Sequence, residues 1–159
     1  MSTPDKITHA LNTLRQASAK SYLRDGAGDI TIKVIGSKLG KADYPQLPED
    51  YEELLRQACG IMGPYFTLLS PGGMEMAAGG LQPGIVEESD AFNRWNEDDE
   101  AKVLVVGKMS GGVVILHKDG QYHVTDESSR DVFRSYDDIA DFIIDTVTRK
   151  DTAARAAQI

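Results

Sequence analysis

Leu47-Pro48-Glu49-Asp50-Tyr51-Glu52-Glu53-Leu54-Leu55 begins the segment that decides the fold. Proline is favoured in the first turn of a helix, because its missing N–H has no partner inside the helix at that position. The two acidic residues after Pro48 suit the positive end of a helix dipole. The stretch therefore predicts the start of a short helix.

The rest of this segment predicts which face the helix buries and where it ends. Its apolar side chains recur at helical spacing: Tyr51, Leu54, Leu55 and Ala58. Gly60 can supply the left-handed residue at which a helix stops. Gly63-Pro64 then leads into the apolar run Tyr65–Leu69, which predicts an extended strand.

Upstream of this segment, two patterns predict one helix and one strand. Ile7, Leu11 and Leu14 form an apolar stripe at helical spacing, and two glycines stop it before residue 30. The run Ile30–Ile35 alternates and is rich in β-branched residues, which predicts a strand. Residues 36–46 are predicted to be a loop.

Downstream, the chain is dominated by β-rich runs: Val103–Gly107, Gly112–His117, Gln121–Thr125 and Val132–Arg134. The continuous apolar character of the first run predicts a central strand. Asp119-Gly120 predicts a two-residue hairpin turn that pairs His117 with Tyr122. A closing helix is predicted after Ser135 as its cap, with its buried face made by Ile139, Phe142, Ile143 and Val147.

Clustered strands without a repeated βαβ rhythm predict an α+β domain, with a mainly antiparallel sheet and helices packed beside it. Residues 1–149 are predicted to form one domain, in which residues 1–41 add a helix-and-strand extension to a core of residues 47–149. Residues 150–159 are predicted to be a flexible tail. For Ile85–Trp95 the pattern leaves three alternatives open: a strand, a short helix, or neither.

The net charge of this 159-residue chain is −8, and it is uneven. Residues 1–41 hold seven Lys and Arg against three Asp and Glu, whereas residues 42–159 hold ten against twenty-two. An acidic body repels nucleic acids and anionic membranes, and it attracts basic proteins. We therefore expect a protein partner rather than nucleic acid or a membrane, although solubility alone would also explain the charge.

The single cysteine, Cys59, excludes an internal disulfide and fits a reducing compartment. The first residues lack the basic region and apolar core of a signal peptide, and no apolar run is long enough to span a bilayer. These features predict a cytoplasmic protein.

The order of these pieces resembles the SUKH superfamily, which includes a yeast regulator of cell-wall synthesis and many bacterial immunity proteins. The matching parts are Leu47–Leu55, Gly60–Leu69, Val103–Thr125 and Ser135–Val147. One departure is the stretch Ala58–Met62, where many relatives carry an Asn-Gly-Gly turn. The resemblance implies an α+β fold and a role in binding other proteins.

Residues with catalytic or metal-binding chemistry are few. The predicted hairpin places His117 and His123 on opposite faces of the sheet, so we expect no metal site. Cys59 falls at a predicted helix C-terminus, where the dipole disfavours a thiolate, although a histidine brought close by the fold stays open. Gly107–Gly112 lacks the spacing of a phosphate-binding loop and is predicted to be a hairpin connection. We expect no cofactor.

The candidate partner-binding segment combines seven acidic side chains with two aromatic ones. Carboxylates steer a basic partner, and aromatic residues often anchor interfaces. The residues are Glu87, Glu88, Asp90, Phe92, Trp95, Glu97, Asp98, Asp99 and Glu100. A solvated loop is the alternative interpretation.

Three functions are compatible with these features. The first is a non-enzymatic immunity protein of the SUKH type, which would bind a cognate toxin, such as a nuclease, and occlude its basic cleft. The second is a regulatory or scaffold protein that recruits partners without inhibiting them. The third is a hydrolase or transferase that uses Cys59 or a histidine.

Overall fold

A computed structural model describes residues 2–76, 79–94 and 102–149. Its helices are α1 (Thr3–Ala17), α2 (Asp29–Lys41), α3 (Glu49–Gln57), α4 (Ile85–Asn93) and α5 (Ile139–Thr148). Its strands are β1 (Tyr22–Asp25), β2 (Ala58–Met62), β3 (Thr67–Leu68), β4 (Met74–Glu75), β5 (Leu81–Gln82), β6 (Leu104–Met109), β7 (Gly112–Leu116), β8 (Tyr122–Asp126) and β9 (Val132–Tyr136).

Seven strands form one sheet in the order β1-β2-β3-β6-β7-β8-β9, and every neighbouring pair is antiparallel. β4 and β5 form a separate hairpin. The residues of β6 from Leu104 to Gly107 are all buried, as expected for the strand at the centre of the sheet. The predicted α+β class, with helices beside a mainly antiparallel sheet, is confirmed.

The predicted buried face of α3 is confirmed, but its predicted end is wrong. Tyr51, Leu54 and Leu55 are buried, and the Tyr51 hydroxyl donates to the carbonyl oxygens of Leu69 at 2.8 Å and Val106 at 3.0 Å. The helix stops at Gln57 because the chain enters β2 there. Gly60 does not end the helix; it lies inside β2 with φ +110°.

The predicted strand Ile30–Ile35 is wrong, because these residues lie in α2. Ile32, Ile35 and Leu39 occupy one helical face and are buried, a spacing that a six-residue run cannot distinguish from strand alternation. The acidic residue in its first turn and the lysines in its last turn also suit the helix dipole. The strand of this region is β1, at one edge of the sheet.

The first 41 residues share the core of the rest of the described chain. Buried side chains from α1 and α2 belong to the same cluster as those of α3, α5 and the sheet: Ile7, Leu11, Leu14, Ile35 and Leu39. The predicted tail, residues 150–159, lies outside the described residues. No helix in the described ranges has both the length and the apolar character that crossing a bilayer requires.

The buried face predicted for α5 is confirmed, although its cap is not Ser135. Ile139, Phe142, Ile143 and Val147 are buried. Ser135 belongs to β9, and the helix is capped by Asp138, whose Oδ1 accepts the backbone N–H of Asp141 at 2.8 Å.

The hairpin between β7 and β8 has a three-residue loop rather than the predicted two-residue turn. The Gly120 N–H donates to the His117 carbonyl at 2.9 Å, the His117 N–H donates to the Gln121 carbonyl at 3.1 Å, and Gly120 is left-handed. Leu116 therefore faces Tyr122, one residue away from the predicted pairing. A shift of one residue reverses the faces, so His117 and His123 lie on the same side of the sheet.

Candidate functional site

Residues 85–95, whose secondary structure the sequence pattern did not decide, begin with helix α4, and this helix is fixed against β6. The Ser89 hydroxyl accepts the Val105 N–H at 2.8 Å. The Asn93 side chain donates to the Val103 carbonyl at 2.8 Å and accepts the Val103 N–H at 3.1 Å. These contacts satisfy polar groups that would otherwise be buried without partners, so they hold α4 in a defined place.

The acidic side chains of α4 differ in how free they are to meet a partner. Glu87 is exposed. Glu88 is half-buried and forms an ion pair with Lys108 at 2.8 Å. Asp90 accepts the hydroxyl of Tyr44 at 2.5 Å. Burial, followed by this contact with Asp90, raises the pKa of Tyr44 to about 12, so the tyrosine remains the proton donor.

The predicted aromatic anchors also divide into two groups. Phe92 is partly buried against the core, and the guanidinium of Arg130 lies 4.0 Å from the centre of its ring. Trp95, Glu97, Asp98, Asp99 and Glu100 lie outside the described residues. Of the nine predicted residues, Glu87 is thus the carboxylate that α4 offers to solvent without a described side-chain contact, and the segment as a binding surface stays a prediction.

A second group of carboxylates gathers at the start of α5, and we call it the α5 corner. It consists of Asp137, Asp138, Asp141 and the ammonium group of Lys6, which lies 3.5 Å from Asp138 Oδ2. Asp137 accepts a hydrogen bond from the side chain of Gln121 at 2.8 Å. Asp137 and Asp141 are exposed, so their remaining acceptor positions face solvent.

The electrostatics of the α5 corner reflect burial first and the crowding of like charges second. Partial burial, and then the neighbouring Asp138 carboxylate, raise the pKa of Asp141, whereas Lys6 lowers it. Behind the corner, Asp50 accepts the Ile139 N–H at 2.7 Å and the Tyr122 hydroxyl at 3.0 Å. Burial chiefly raises the pKa of Asp50, and Asp138 adds to the rise. A bound cation would relieve this repulsion and lower both pKa values.

The sequence patterns did not reveal the α5 corner, although part of its signal was visible. The acidic residues at positions 137, 138 and 141 stand close together in the chain around the start of the closing helix, but no binding role was predicted for them. The contribution of Asp50 was not visible, because its hydrogen bond to Ile139 crosses 89 positions of sequence.

The two hairpin histidines form a cluster with Asp119. Their ring centres lie 6.0 Å apart. Asp119 Oδ2 lies 3.4 Å from His123 Nε2, and Asp119 Oδ1 lies 3.9 Å from His117 Nδ1. The prediction that His117 and His123 lie on opposite faces of the sheet is therefore wrong. Within the described ranges, however, no group of three or more His, Cys, Asp or Glu side chains could hold a metal ion.

A hydrogen-bonded row of Ser135, His123 and Asp119 lies along the same hairpin. His123 Nδ1 is 2.7 Å from Ser135 Oγ. A nucleophilic serine also needs a cleft that holds the substrate and donors that stabilise an oxyanion. The neighbouring cleft of about 840 Å³ is lined by His117 and Gly120 but not by Ser135. The row is explained by cross-strand pairing, since His123 and Ser135 face each other in β8 and β9.

Cys59 is buried in β2, and burial raises the pKa of its thiol. A raised pKa disfavours the thiolate that nucleophilic catalysis requires.

The connection predicted for Gly107–Gly112 is confirmed as a hairpin turn at Ser110-Gly111, because Met109 pairs with Gly112.

No protein-family model matches this chain, and no curated protein matches it. The resemblance to the SUKH superfamily therefore stays a prediction that rests on the motifs quoted above.

Proposed function

We propose that this protein acts by binding a basic protein partner through clustered carboxylates, as a SUKH-type immunity protein would bind a toxin. The partner would be an enzyme with a basic cleft, such as a nuclease, whose substrate is anionic. The protein would cover that cleft and exclude the substrate, without transforming any molecule itself. The protein would act in the cytoplasm.

The observation that carries the proposal is the α5 corner. Its Asp138 carboxylate pairs with the ammonium group of Lys6 at 3.5 Å, and hydrogen bonds from Gln121 and from the N–H of Asp141 hold Asp137 and Asp138 in place. Preorganised charges bind a partner without the entropic cost of ordering long flexible side chains. The exposed Glu87 and the acidic residues 97–100 would extend the same attraction over a wider surface.

The electrostatic form of the proposal has two consequences that can be measured. The association rate constant should fall steeply as the salt concentration rises. Dissolved ions screen the attraction between exposed charges, and the screening length is about 10 Å at 0.1 M salt. In mildly acidic solution, where part of the Asp141 population is protonated, docking of Lys or Arg side chains should release protons, because the pKa of Asp141 is raised in the free protein and a cation would lower it.

Co-expression with the product of the neighbouring gene is the direct test. We expect a complex, protection of the cell from that product, and inhibition of its enzymatic activity. If neither a complex nor protection were observed, the proposal would be contradicted. A complex that leaves the partner fully active would instead favour the regulatory or scaffold role.

A pair of matched variants tests where the partner docks. Asp137→Asn with Asp141→Asn removes two charges at the α5 corner, and Glu127→Gln with Asp131→Asn removes two at the other end of β8 and β9. We expect about tenfold weaker binding for the first pair and little change for the second. The segment predicted from sequence is tested in parallel by Glu87→Gln and by Gln or Asn at positions 97–100.

A further inference from the structure

Helix α2 carries two large aliphatic side chains that the core does not use. Ile30 and Val34 lie one turn apart and expose 80% and 47% of their surface. The inward face of the same helix already supplies Ile32, Ile35 and Leu39 to the interior. Adjacent exposed aliphatic residues rimmed by polar ones are a common mark of a binding site.

The two side chains border a groove rather than a flat surface. A cleft of about 200 Å³ lies between α2 and the turn at Pro71-Gly72, and its lining includes Ile30, Val34 and Lys38. A second cleft of about 350 Å³ shares Thr31, Pro71 and Gly72 with the first. The two clefts therefore adjoin each other along these three residues.

The outward face of α2, beside these clefts, is basic, in contrast to the body of the protein. Lys33, Lys38 and Lys41 are exposed on α2, and none of them forms an ion pair with any other described residue. The acidic residue of the helix, Asp29, lies 3.4 Å from Arg56. The outward face of α2 thus offers aliphatic surface together with ammonium groups that have no ion-pair partner among the described residues.

We propose that the outward face of α2 docks an amphipathic segment of a partner protein, in which carboxylates flank apolar side chains. The apolar side chains would cover Ile30 and Val34, and the carboxylates would pair with the lysines. A second copy bound through the same face is disfavoured, since it would bring the lysines of both copies together. A short peptide segment can contact α2 alone, whereas an extended anionic membrane would also approach the acidic residues of the rest of the chain.

This site is independent of the one in the proposed function, because it takes a partner of opposite charge on other elements. Either site can be abolished while the other is kept. A protein that carried both would bind a basic and an acidic partner at once.

The proposal is tested with the full chain and a fluorescent synthetic amphipathic peptide built of Leu, Ala and Glu, followed by anisotropy. Two matched peptides replace every Glu with Gln or every Leu with Ser. The variants are Ile30→Ser with Val34→Ser, and Lys33→Gln with Lys38→Gln. Val132→Ser with Phe133→Ser is the control, because these residues form an exposed apolar pair on β9.

We expect the Leu and Glu peptide to bind, each α2 variant to weaken that binding at least tenfold, and the β9 control to match the original chain. Both matched peptides should bind at least tenfold more weakly. Thermal unfolding midpoints should stay unchanged for the Ile30 and Val34 pair, which separates lost docking from lost folding.

Several results would overturn the proposal. These are no binding of the Leu and Glu peptide, equal loss in the β9 control, or equal binding of the Gln peptide. Tighter binding to vesicles of phosphatidylserine than to the peptide would assign the face to membranes. A dimer in sedimentation that the Ile30 and Val34 variant abolishes would assign it to a second copy.

Discussion

Helices α3 and α2 bury the same number of large apolar side chains, yet they use their surfaces differently. On α3 the buried residues are Tyr51, Leu54 and Leu55, and the apolar side chains of the helix all face inward. On α2 three residues face inward, but Ile30 and Val34 face solvent. The difference separates a helix whose apolar side chains are all used by the core from one that also leaves apolar side chains exposed.

Tyr51→Ala should give the largest loss of stability, because it empties a fully buried site on α3 and removes two hydrogen bonds. We expect the free energy of unfolding to fall by about 4 kcal/mol, measured by urea denaturation. Tyr51→Phe keeps the ring and should lose about 1–3 kcal/mol. If Tyr51→Ala lost no more than Tyr51→Phe, the ring would not be a core element.

Ile35→Ala tests the inward face of α2. The side chain is 1% exposed, so its truncation leaves a cavity, and we expect a loss of about 2–4 kcal/mol in the same assay. A loss as small as that of the Ile30→Ala variant described below would mean that the faces of α2 are assigned wrongly.

Gly60→Ala tests the junction where α3 passes into β2. At φ +110° a side chain is strained, and a Cβ would meet the sulfur of Met74. We expect a loss of about 1–3 kcal/mol. Gly72→Ala is the matched control, because a Cβ there meets nothing within 4 Å, and it should leave the unfolding midpoint nearly unchanged.

Asp141→Asn tests the electrostatics of the α5 corner through the pH dependence of stability. The pKa of Asp141 is raised in the folded protein, so its contribution to stability is fully present below the ordinary pKa of 3.8 and is lost as the pH rises through the folded pKa. The original chain should therefore lose stability relative to Asp141→Asn as the pH rises from about 3 to 6.

Asp126→Asn provides the opposite sign in the same titration. Hydrogen bonds from the N–H groups of Ser129 and Ser128 lower the pKa of Asp126. The stability that the Asp126 carboxylate contributes is present above its ordinary pKa and is lost as the pH falls through its pKa in the folded protein. The original chain should therefore become more stable relative to Asp126→Asn as the pH rises. If the stability difference between the original chain and the variant changed with pH in the same direction for both variants, the crowding of carboxylates at the α5 corner would be disproved.

Ile30→Ala should have the smallest effect. Because this side chain is 80% exposed, the free energy of unfolding should change by less than about 0.5 kcal/mol. A larger loss in urea denaturation would show that the outward face of α2 contributes to folding, and it would remove the contrast with α3.

Sequence patterns predicted the inner faces of α3 and α5 correctly, since both have apolar residues at clear helical spacing. They failed at α2, because Ile30–Ile35 satisfies the strand pattern as well as the helix pattern over so short a run. The predicted hairpin register is wrong by one residue, because Gly120 adopts a left-handed backbone conformation in a three-residue loop. The dipeptide Asp-Gly is compatible with loops of two or three residues, so the sequence does not decide between them.

For the candidate sites, the sequence supplied the chemistry but not the placement. The acidic residues of α4 were identified, yet their partners Tyr44 and Lys108 come from distant positions. The carboxylates of the α5 corner were visible in the sequence, whereas the approach of Lys6 and Asp50 depended on how α1 and α3 pack against α5.

By itself the sequence determined an antiparallel α+β fold, the buried faces of two helices, and an acidic body beside a basic N-terminal part. Only the tertiary structure decided which side of α2 is buried, which residues face each other across the β7 and β8 hairpin, and which carboxylates meet. The reason is that periodicity and charge are properties of neighbouring residues. Burial and ion pairing depend on groups that only folding brings together.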